Sequence, residues 1–312
     1  MNLSATAENI LLASWSNGTK KQYGSYARKW LKYCSENHID CCRASVTEII
    51  EFLTDMFKNS NVQYSTFNTV RSMLSSMVEP RDGITVGNHP LVKRFMKGIF
   101  KLRPSLPKYT VTYDAQIVLH HMTRMPPLAQ LTLPEVTKKL ATLMALLSGQ
   151  RAQTLHALDI TYMHITPERV IFYISELLKT SRPSFHQQPL NLTAYPQDGE
   201  LCVVQTLKEY LKQTKPIRGG CTRLFISVSK PHHPVTTGTI ARWIKEILNN
   251  SGIDTTNFTA HSTRVASTSL AKSRGLSVTE IAKAAGWSNC STFAKHYDKP
   301  IMDKDFSSTI TH

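Results

Sequence analysis

Apolar residues recur at helical spacing through residues 1–103 of the chain. Thr19 stands where it can cap a helix, and an apolar stripe that includes Leu31 then runs from Tyr23 to Cys34. The same period predicts further helices from Thr47, over Ser65–Val78 and over Leu91–Phe100. We therefore expect a helical N-terminal domain over residues 1–103.

The prolines that follow this domain interrupt the helical period, so residues 104–110 are predicted to form a linker. Beyond it, Arg169–Ser175 is rich in β-forming residues, and Gln188–Leu192 is predicted to pair with it in antiparallel fashion. Helices are expected over Pro134–Leu147, Leu201–Lys212, Ile240–Asn249, Thr263–Lys272 and Val278–Ala285. The pattern thus predicts a mainly α fold with a small antiparallel sheet, in which residues 111–312 form the second domain.

Basic residues outnumber acidic ones, with 37 Lys and Arg against 22 Asp and Glu and a formal charge of +15. A folded surface of this charge favours a polyanionic partner, most often nucleic acid. The N-terminal candidates for phosphate contact are Lys20, Lys21, Arg28, Arg71, Lys93, Arg94, Lys97 and Lys101. Lys93, Lys97 and Lys101 are four apart and share a helix face. An ordinary solvated surface is the alternative interpretation.

Composition also argues against a membrane protein and against a secreted one. The chain has no apolar run of about 18 residues and no basic start typical of a secretory signal, so we expect neither membrane insertion nor secretion. Its six cysteines show no zinc-ligand spacing and are expected to be free thiols in a reducing compartment.

Candidate chemistry lies in the second domain, in an ordered series of polar residues. Arg151 follows an apolar helix, Lys179 lies between the two predicted strands, and His261 and Arg264 are three apart. Trp287 and Tyr297 complete the series. Each residue singly is more simply explained as a solvated cation or a packed aromatic, so the information lies in the order and spacing.

This order resembles the phage-integrase or tyrosine-recombinase family. In the N-terminal half, residues 17–23 followed by Trp30 are similar to the start of the family's helical, SAM-like core-binding domain. The resemblance thus implies a core-binding domain followed by a tyrosine-recombinase catalytic domain. Tyr-Asp-Lys-Pro at 297–300 further resembles the eukaryotic mobile-element recombinases of the Crypton and DIRS-like groups.

The resemblance assigns a role to each residue of the series. Arg151 and Arg264 would neutralise the charge of a pentavalent phosphate, and His261 would add a hydrogen bond. The Trp287 indole would donate to the same phosphate or pack against the helix that carries the tyrosine. Lys179 would protonate the departing 5′-oxygen, while Tyr297 would attack and hold the 3′-phosphate.

Partners and cofactors follow from the same resemblance. It implies action on double-stranded DNA as a homotetramer, without ATP, metal or other cofactor. The protein would act in the nucleus of a eukaryote, or in the cytoplasm or nucleoid of a prokaryote. The sequence has no phosphate-binding glycine loop, in agreement with that expectation.

Three features depart from the family pattern. Thr154 stands where an acidic residue is frequent, Trp287 replaces a second histidine, and the Trp287–Tyr297 gap is one residue longer than usual. The longer gap makes His296 the alternative at the nucleophile position. A domesticated, catalytically decayed DNA-binding protein and a type IB topoisomerase-like enzyme therefore stay open as alternative functions.

Overall fold

The computed structural model describes residues 4–80, 83–105, 109–179, 181, 183, 188–287 and 289–302. The chain divides into two compact units, Met1–Pro107 and Lys108–His312. Their boundary falls inside the proline-containing segment 104–110.

The N-terminal unit is helical. Its described helices are α1 (Ala5–Ala13), α2 (Asn17–Glu36), α3 (Val46–Asn59), α4 (Tyr64–Met77) and α5 (Pro90–Leu102). Helices α2 to α5 bury one core that contains Trp30, Phe52 and Phe67, whereas α1 buries no residue. The core therefore forms where the sequence shows helical periodicity.

Two predicted helix starts in this unit were wrong by two or three residues. Ser16 rather than Thr19 caps α2, and Ser45 rather than Thr47 begins α3. Ser45 and Glu48 form a reciprocal capping box, which satisfies two backbone N–H groups at once. Leu31 is 45% exposed and lies outside the buried stripe on α2.

The C-terminal unit is also mainly helical. Its described helices are α6 (Ala115–Thr123), α7 (Leu133–Ser148), α8 (Ala152–His156), α9 (Val203–Thr214), α10 (Thr237–Asn250), α11 (Ser262–Ser273), α12 (Val278–Ala284) and α13 (Ser291–His296). The nearly fully buried α7 packs against α9, α10 and α11. Among the described helices, none is long and apolar enough to span a membrane.

The sheet has three antiparallel strands in the order β1 (Met163–Ile165), β2 (Arg169–Phe172) and β3 (Leu190–Thr193). Val170 pairs with Leu192, which confirms the predicted antiparallel partner of the second strand. That strand ends at Phe172 rather than Ser175, and β1 was not predicted because it has only three residues. The structure confirms the expected mainly α class with a small antiparallel sheet.

Gly149 sets the direction of the chain between α7 and α8. Its φ of +59° is a left-handed conformation that glycine adopts without strain. A Cβ at this position would come within 3.3 Å of the Thr268 methyl group on α11. The glycine therefore lets the end of α7 lie against α11, two residues before Arg151.

Candidate active site

Three of the predicted site residues form one aromatic and cationic cluster in the C-terminal unit. The guanidinium carbon of Arg264 lies 4.4 Å from the ring centre of Trp287 and 5.4 Å from that of Tyr297. The Trp287 and Tyr297 ring centres are 4.5 Å apart. His261 lies at the edge of the cluster, with its ring centre 6.1 Å from that of Tyr297. The structure thus brings together residues that are far apart in sequence.

Arg264 is the buried centre of this cluster and is only 1% exposed. Its Nη1 donates to the Gly149 carbonyl at 2.6 Å and its Nη2 to the Ala285 carbonyl at 2.8 Å. Burial, followed by the charge of Arg151, lowers the pKa of Arg264 to about 10, while Tyr297 acts in the opposite direction. The side chain therefore stays cationic at neutral pH.

The two backbone carbonyls limit which N–H groups of Arg264 can bind a phosphate. Each terminal nitrogen donates one of its two N–H groups to a backbone carbonyl, so three N–H groups are left for other acceptors, one of them on Nε. This atom is buried and has no hydrogen-bond partner among the described residues.

The indole Nε1 of Trp287 is a second buried donor without a partner in the described part of the chain. A buried N–H that makes no hydrogen bond costs free energy, so such groups are rare and point to a missing acceptor. An oxygen-rich anion in this cluster would supply acceptors to both donors.

Tyr297 closes helix α13 and is 8% exposed. Its carbonyl accepts a hydrogen bond from Ser269 Oγ at 2.9 Å, which ties it to α11. Just beyond it, the Thr112 backbone bonds to the Pro300 carbonyl and to the Met302 amide, both at 2.8 Å. The tyrosine and the segment that follows it are therefore anchored to the rest of the C-terminal unit.

The two candidates for the nucleophile, His296 and Tyr297, differ in burial and in contacts. His296 precedes Tyr297 on α13, yet its side chain is exposed while that of Tyr297 is buried. The tyrosine ring contacts Trp287 and lies beside Arg264, so the geometry favours Tyr297 as the nucleophile.

His261 flanks the start of α11, and part of its surface is exposed. Protein atoms around the ring displace water and lower the pKa of His261, and the charges of Arg151, Arg264 and Lys179 lower it further. The charges of three cations thus act on one imidazole. Such a ring is neutral at neutral pH, so one nitrogen can donate a hydrogen bond and the other can accept one.

Arg151 and Lys179 approach the cluster from two other segments. Arg151 is half-buried at the N-terminal end of α8 and forms no ion pair with an acidic residue that the structure describes. Lys179 is exposed in the chain that follows β2. Nearby, Glu176 pairs with Arg223, and the Leu178 amide donates to Ser181 Oγ at 2.9 Å.

The basic candidates of the N-terminal unit lie on α2, α4 and α5. All are exposed except Arg71, which is half-buried. Within the described residues, none of these eight side chains forms an ion pair. Their positive charge is therefore available for a polyanion.

One cluster of the N-terminal unit was not expected from the cysteine spacing. The ligand atoms of Asp40, Cys41 and Cys42 lie within 4.8 Å of one another. The Asp40 carboxylate already accepts hydrogen bonds from the Cys42 and Arg43 amides, at 2.9 and 3.2 Å. These bonds account for the cluster as a turn, and all six cysteines are free thiols as predicted.

The sequence analysis did not identify Gln150, a buried residue next to the carbonyl groups that bind Arg264. The Gln150 amide is 8% exposed and contacts the Ala284 carbonyl, next to one of the two carbonyls on Arg264. A polar residue between the apolar α7 and Arg151 is the signal that could have identified it, because a buried amide requires partners.

Residues 121–302 match the family model described as the phage integrase family. No curated protein sequence matches the chain. Similar folds occur in the Tn1549 transposon integrase complexed with transposon right end DNA (14% identity, TM-score 0.62), where the match covers 98% of this chain and 97% of that one. The lambda integrase dimer bound to a COC′ core site (residues 75–356 of that enzyme) is 18% identical, with a TM-score of 0.52 and 98% coverage of both chains. The XerH recombinase bound to its difH substrate is 13% identical, with a TM-score of 0.56 and coverage of 86% and 70%.

Proposed function

The chain belongs to the phage integrase family and is a tyrosine recombinase, and on this premise we propose that it cuts and rejoins DNA through Tyr297. The observation that carries the proposal is the contact of the Tyr297 ring with Trp287, beside the buried cation Arg264. Two buried N–H donors without described partners, Arg264 Nε and Trp287 Nε1, lie in the same cluster. A phosphodiester would bring acceptor oxygens and negative charge to a site that has donors and positive charge.

In the proposed cleavage step, the Tyr297 oxygen attacks the phosphorus and the bond to the 5′-oxygen breaks. The neutral His261 ring can accept the tyrosine proton, and Lys179 gives a proton to the departing 5′-oxygen. Arg151 and Arg264 stabilise the extra negative charge of the pentavalent phosphate. The product is a 3′-phosphotyrosyl bond and a free 5′-hydroxyl.

Rejoining is the reverse reaction with a different 5′-hydroxyl. This hydroxyl attacks the phosphotyrosine, and the tyrosine leaves. Because the phosphodiester is kept as a phosphotyrosyl ester of similar energy, strand exchange requires no ATP.

The partners that we propose are double-stranded DNA and further copies of the chain. The eight basic candidates of the N-terminal unit would contact phosphates, whose neutralisation releases counterions. An exchange of four strands requires four tyrosines, because each tyrosine holds one strand end. The match to a lambda integrase tetramer bound to a Holliday junction (18% identity, TM-score 0.51) supports a tetramer on DNA.

The biological setting that we propose is integration or excision of a mobile element. The similarity to the Tn1549 transposon integrase supports this setting, and Tyr-Asp-Lys-Pro at 297–300 supports the eukaryotic Crypton or DIRS-like groups. In a eukaryotic host the protein would act in the nucleus.

The experiment is incubation with nicked suicide substrates that carry candidate element ends, in EDTA and without ATP. We expect a protease-sensitive adduct that survives denaturant and disappears in Tyr297→Phe. Tyr195→Phe is the matched control, because Tyr195 is 47% exposed in the same unit and outside the cluster. Binding without an adduct would favour a decayed DNA-binding protein, and relaxation of supercoils without exchange between sites would favour a topoisomerase.

A further inference from the structure

Arg264 is held between two carbonyl groups that follow different helices. One belongs to Gly149 after α7 and the other to Ala285 after α12. The distance between these helix ends therefore fixes the direction of the guanidinium plane and of its free Nε. Trp287 follows Ala285 by two residues, and its amide bonds to the Ala282 carbonyl at 2.9 Å. Any movement of residues 285–287 therefore moves the two donors that lack a described partner, Arg264 Nε and Trp287 Nε1.

Gln150 links the same two helix ends through its side chain. Its Nε2 donates to the Ala284 carbonyl at 2.9 Å, and its Oε1 accepts from Thr154 Oγ1 at 3.1 Å. Only the amide nitrogen can donate to a carbonyl, so this contact determines the orientation of the amide. Gln150 and Thr154 are 8% and 4% exposed, which keeps competing water away.

We infer that Gln150 and Thr154 act as positioning residues, a neutral amide–hydroxyl pair that sets Arg264 and Trp287 in the geometry for phosphate binding. The inference rests on the proposed function and explains one departure from the family pattern. Thr154 stands where the family frequently has an acidic residue. Its hydroxyl donates to Gln150, whose amide in turn donates to the Ala284 carbonyl.

A neutral pair has an electrostatic consequence at Arg151. A carboxylate at position 154 would lie three residues from Arg151, within reach of an ion pair on α8. With threonine there, the charge of Arg151 is not compensated by this neighbour and acts on the rest of the site. The lowered pKa of both His261 and Arg264, to which Arg151 contributes after burial, agrees with this arrangement.

The first test compares single-turnover cleavage of a suicide substrate at saturating DNA. Thr154→Val removes the hydroxyl at nearly constant volume, and Gln150→Met removes the amide. We expect each to slow cleavage by about 10²-fold, because displacement of positioning groups by an ångström has an effect of that order. DNA affinity should change less than about twofold, because the phosphate-binding cations remain. The double variant should be little slower than either single variant, because both interrupt one linkage.

Matched variants separate positioning from general damage to the fold. Thr154→Ser keeps the hydroxyl and should keep most of the cleavage rate. Thr206→Val removes another buried hydroxyl of the same unit, which bonds within α9 to the Cys202 carbonyl at 3.0 Å. It should destabilise the protein to a similar extent and leave the cleavage rate unchanged. Equal cleavage rates in Thr154→Val and the wild type would overturn the inference.

A second measurement is independent of cleavage. In the protein without DNA, the ¹⁵N–¹H signals of the Trp287 indole and of Arg264 Nε should shift in Thr154→Val and Gln150→Met. The Trp30 indole is the internal reference, because it donates to the Cys41 carbonyl in the N-terminal unit. If the wild type forms no adduct on DNA that it binds, the proposed function fails, while unchanged Trp287 and Arg264 signals would overturn the positioning inference by itself.

Discussion

The pKa of His261 is lowered by burial of the ring and then by the charges of Arg151, Arg264 and Lys179. The folded protein therefore binds a proton at this residue less readily than the unfolded chain, where the pKa is near 6.5. The contribution of His261 to the free energy of unfolding is therefore complete above about pH 6.5. It is lost as the pH falls from that value through the lower pKa of the folded state.

For this reason, His261→Gln should reduce the loss of stability on acidification. We expect the free energy of unfolding of the wild type to fall more steeply between about pH 7 and pH 5 than that of the variant. Urea denaturation at a series of pH values measures the difference. Parallel curves for the two proteins would mean that the pKa of His261 is not lowered in the folded state.

Lys179 is an exposed residue in the chain after β2. If it is the general acid, Lys179→Ala should cleave ordinary DNA slowly and a 5′-bridging phosphorothiolate at close to the wild-type rate, because a thiolate leaves without protonation. Lys283→Ala, which removes another exposed lysine of the same unit, is the control. A lack of rescue for Lys179→Ala would assign the proton to another group.

At the scale of elements, sequence periodicity predicts long segments and fails at short ones. Helix α7 was predicted to within one residue at each end from its apolar pattern and from Pro134, which suits the first turn of a helix. Helices α8 and α13 have five and six residues, too few for a period to be recognised. Arg151 directly precedes α8 and Tyr297 directly follows α13, so the elements next to these two candidate site residues were the hardest to predict.

The order of polar residues along the sequence was enough to propose candidate site residues, but it did not predict the contacts that these residues make. Nothing in the spacing of His261 and Arg264 shows that two backbone carbonyls occupy the terminal nitrogens of Arg264. That arrangement depends on how α7 and α12 end against α11, which is a property of tertiary packing. The Gln150–Thr154 linkage was missed for the same reason.

Helix α5 presents Lys93, Arg94, Lys97 and Lys101 as exposed side chains. Each phosphate contact contributes about 0.9 to the slope of log affinity against log salt concentration, so Lys93→Ala with Lys97→Ala should reduce that slope by about 2. Affinity should fall alike for specific and unrelated DNA. Lys32→Ala is the control, because Lys32 already pairs with Glu36 at 3.6 Å. An unchanged slope in the double variant would remove α5 from the DNA interface.

At the scale of the whole molecule, the division into two compact units predicts where a protease cuts the chain. Limited proteolysis without DNA should cut within residues 103–110 and leave two resistant fragments, because packed units protect their own backbone. Mass spectrometry of the fragments locates the cut. First cleavage between residues 134 and 297 would contradict the proposed domain boundary.

The most direct test of the central claim is the chemical identity of the residue bound to DNA. After nuclease digestion of the adduct, trypsin should cut after Lys295 and Lys304 and give one peptide that contains both His296 and Tyr297. Fragmentation by mass spectrometry should place the nucleotide remnant on Tyr297, and the bond should survive mild acid, since a phosphotyrosine ester resists conditions that hydrolyse phosphohistidine. An acid-labile remnant on His296, or a remnant on any other peptide, would contradict the assignment of Tyr297 as the nucleophile.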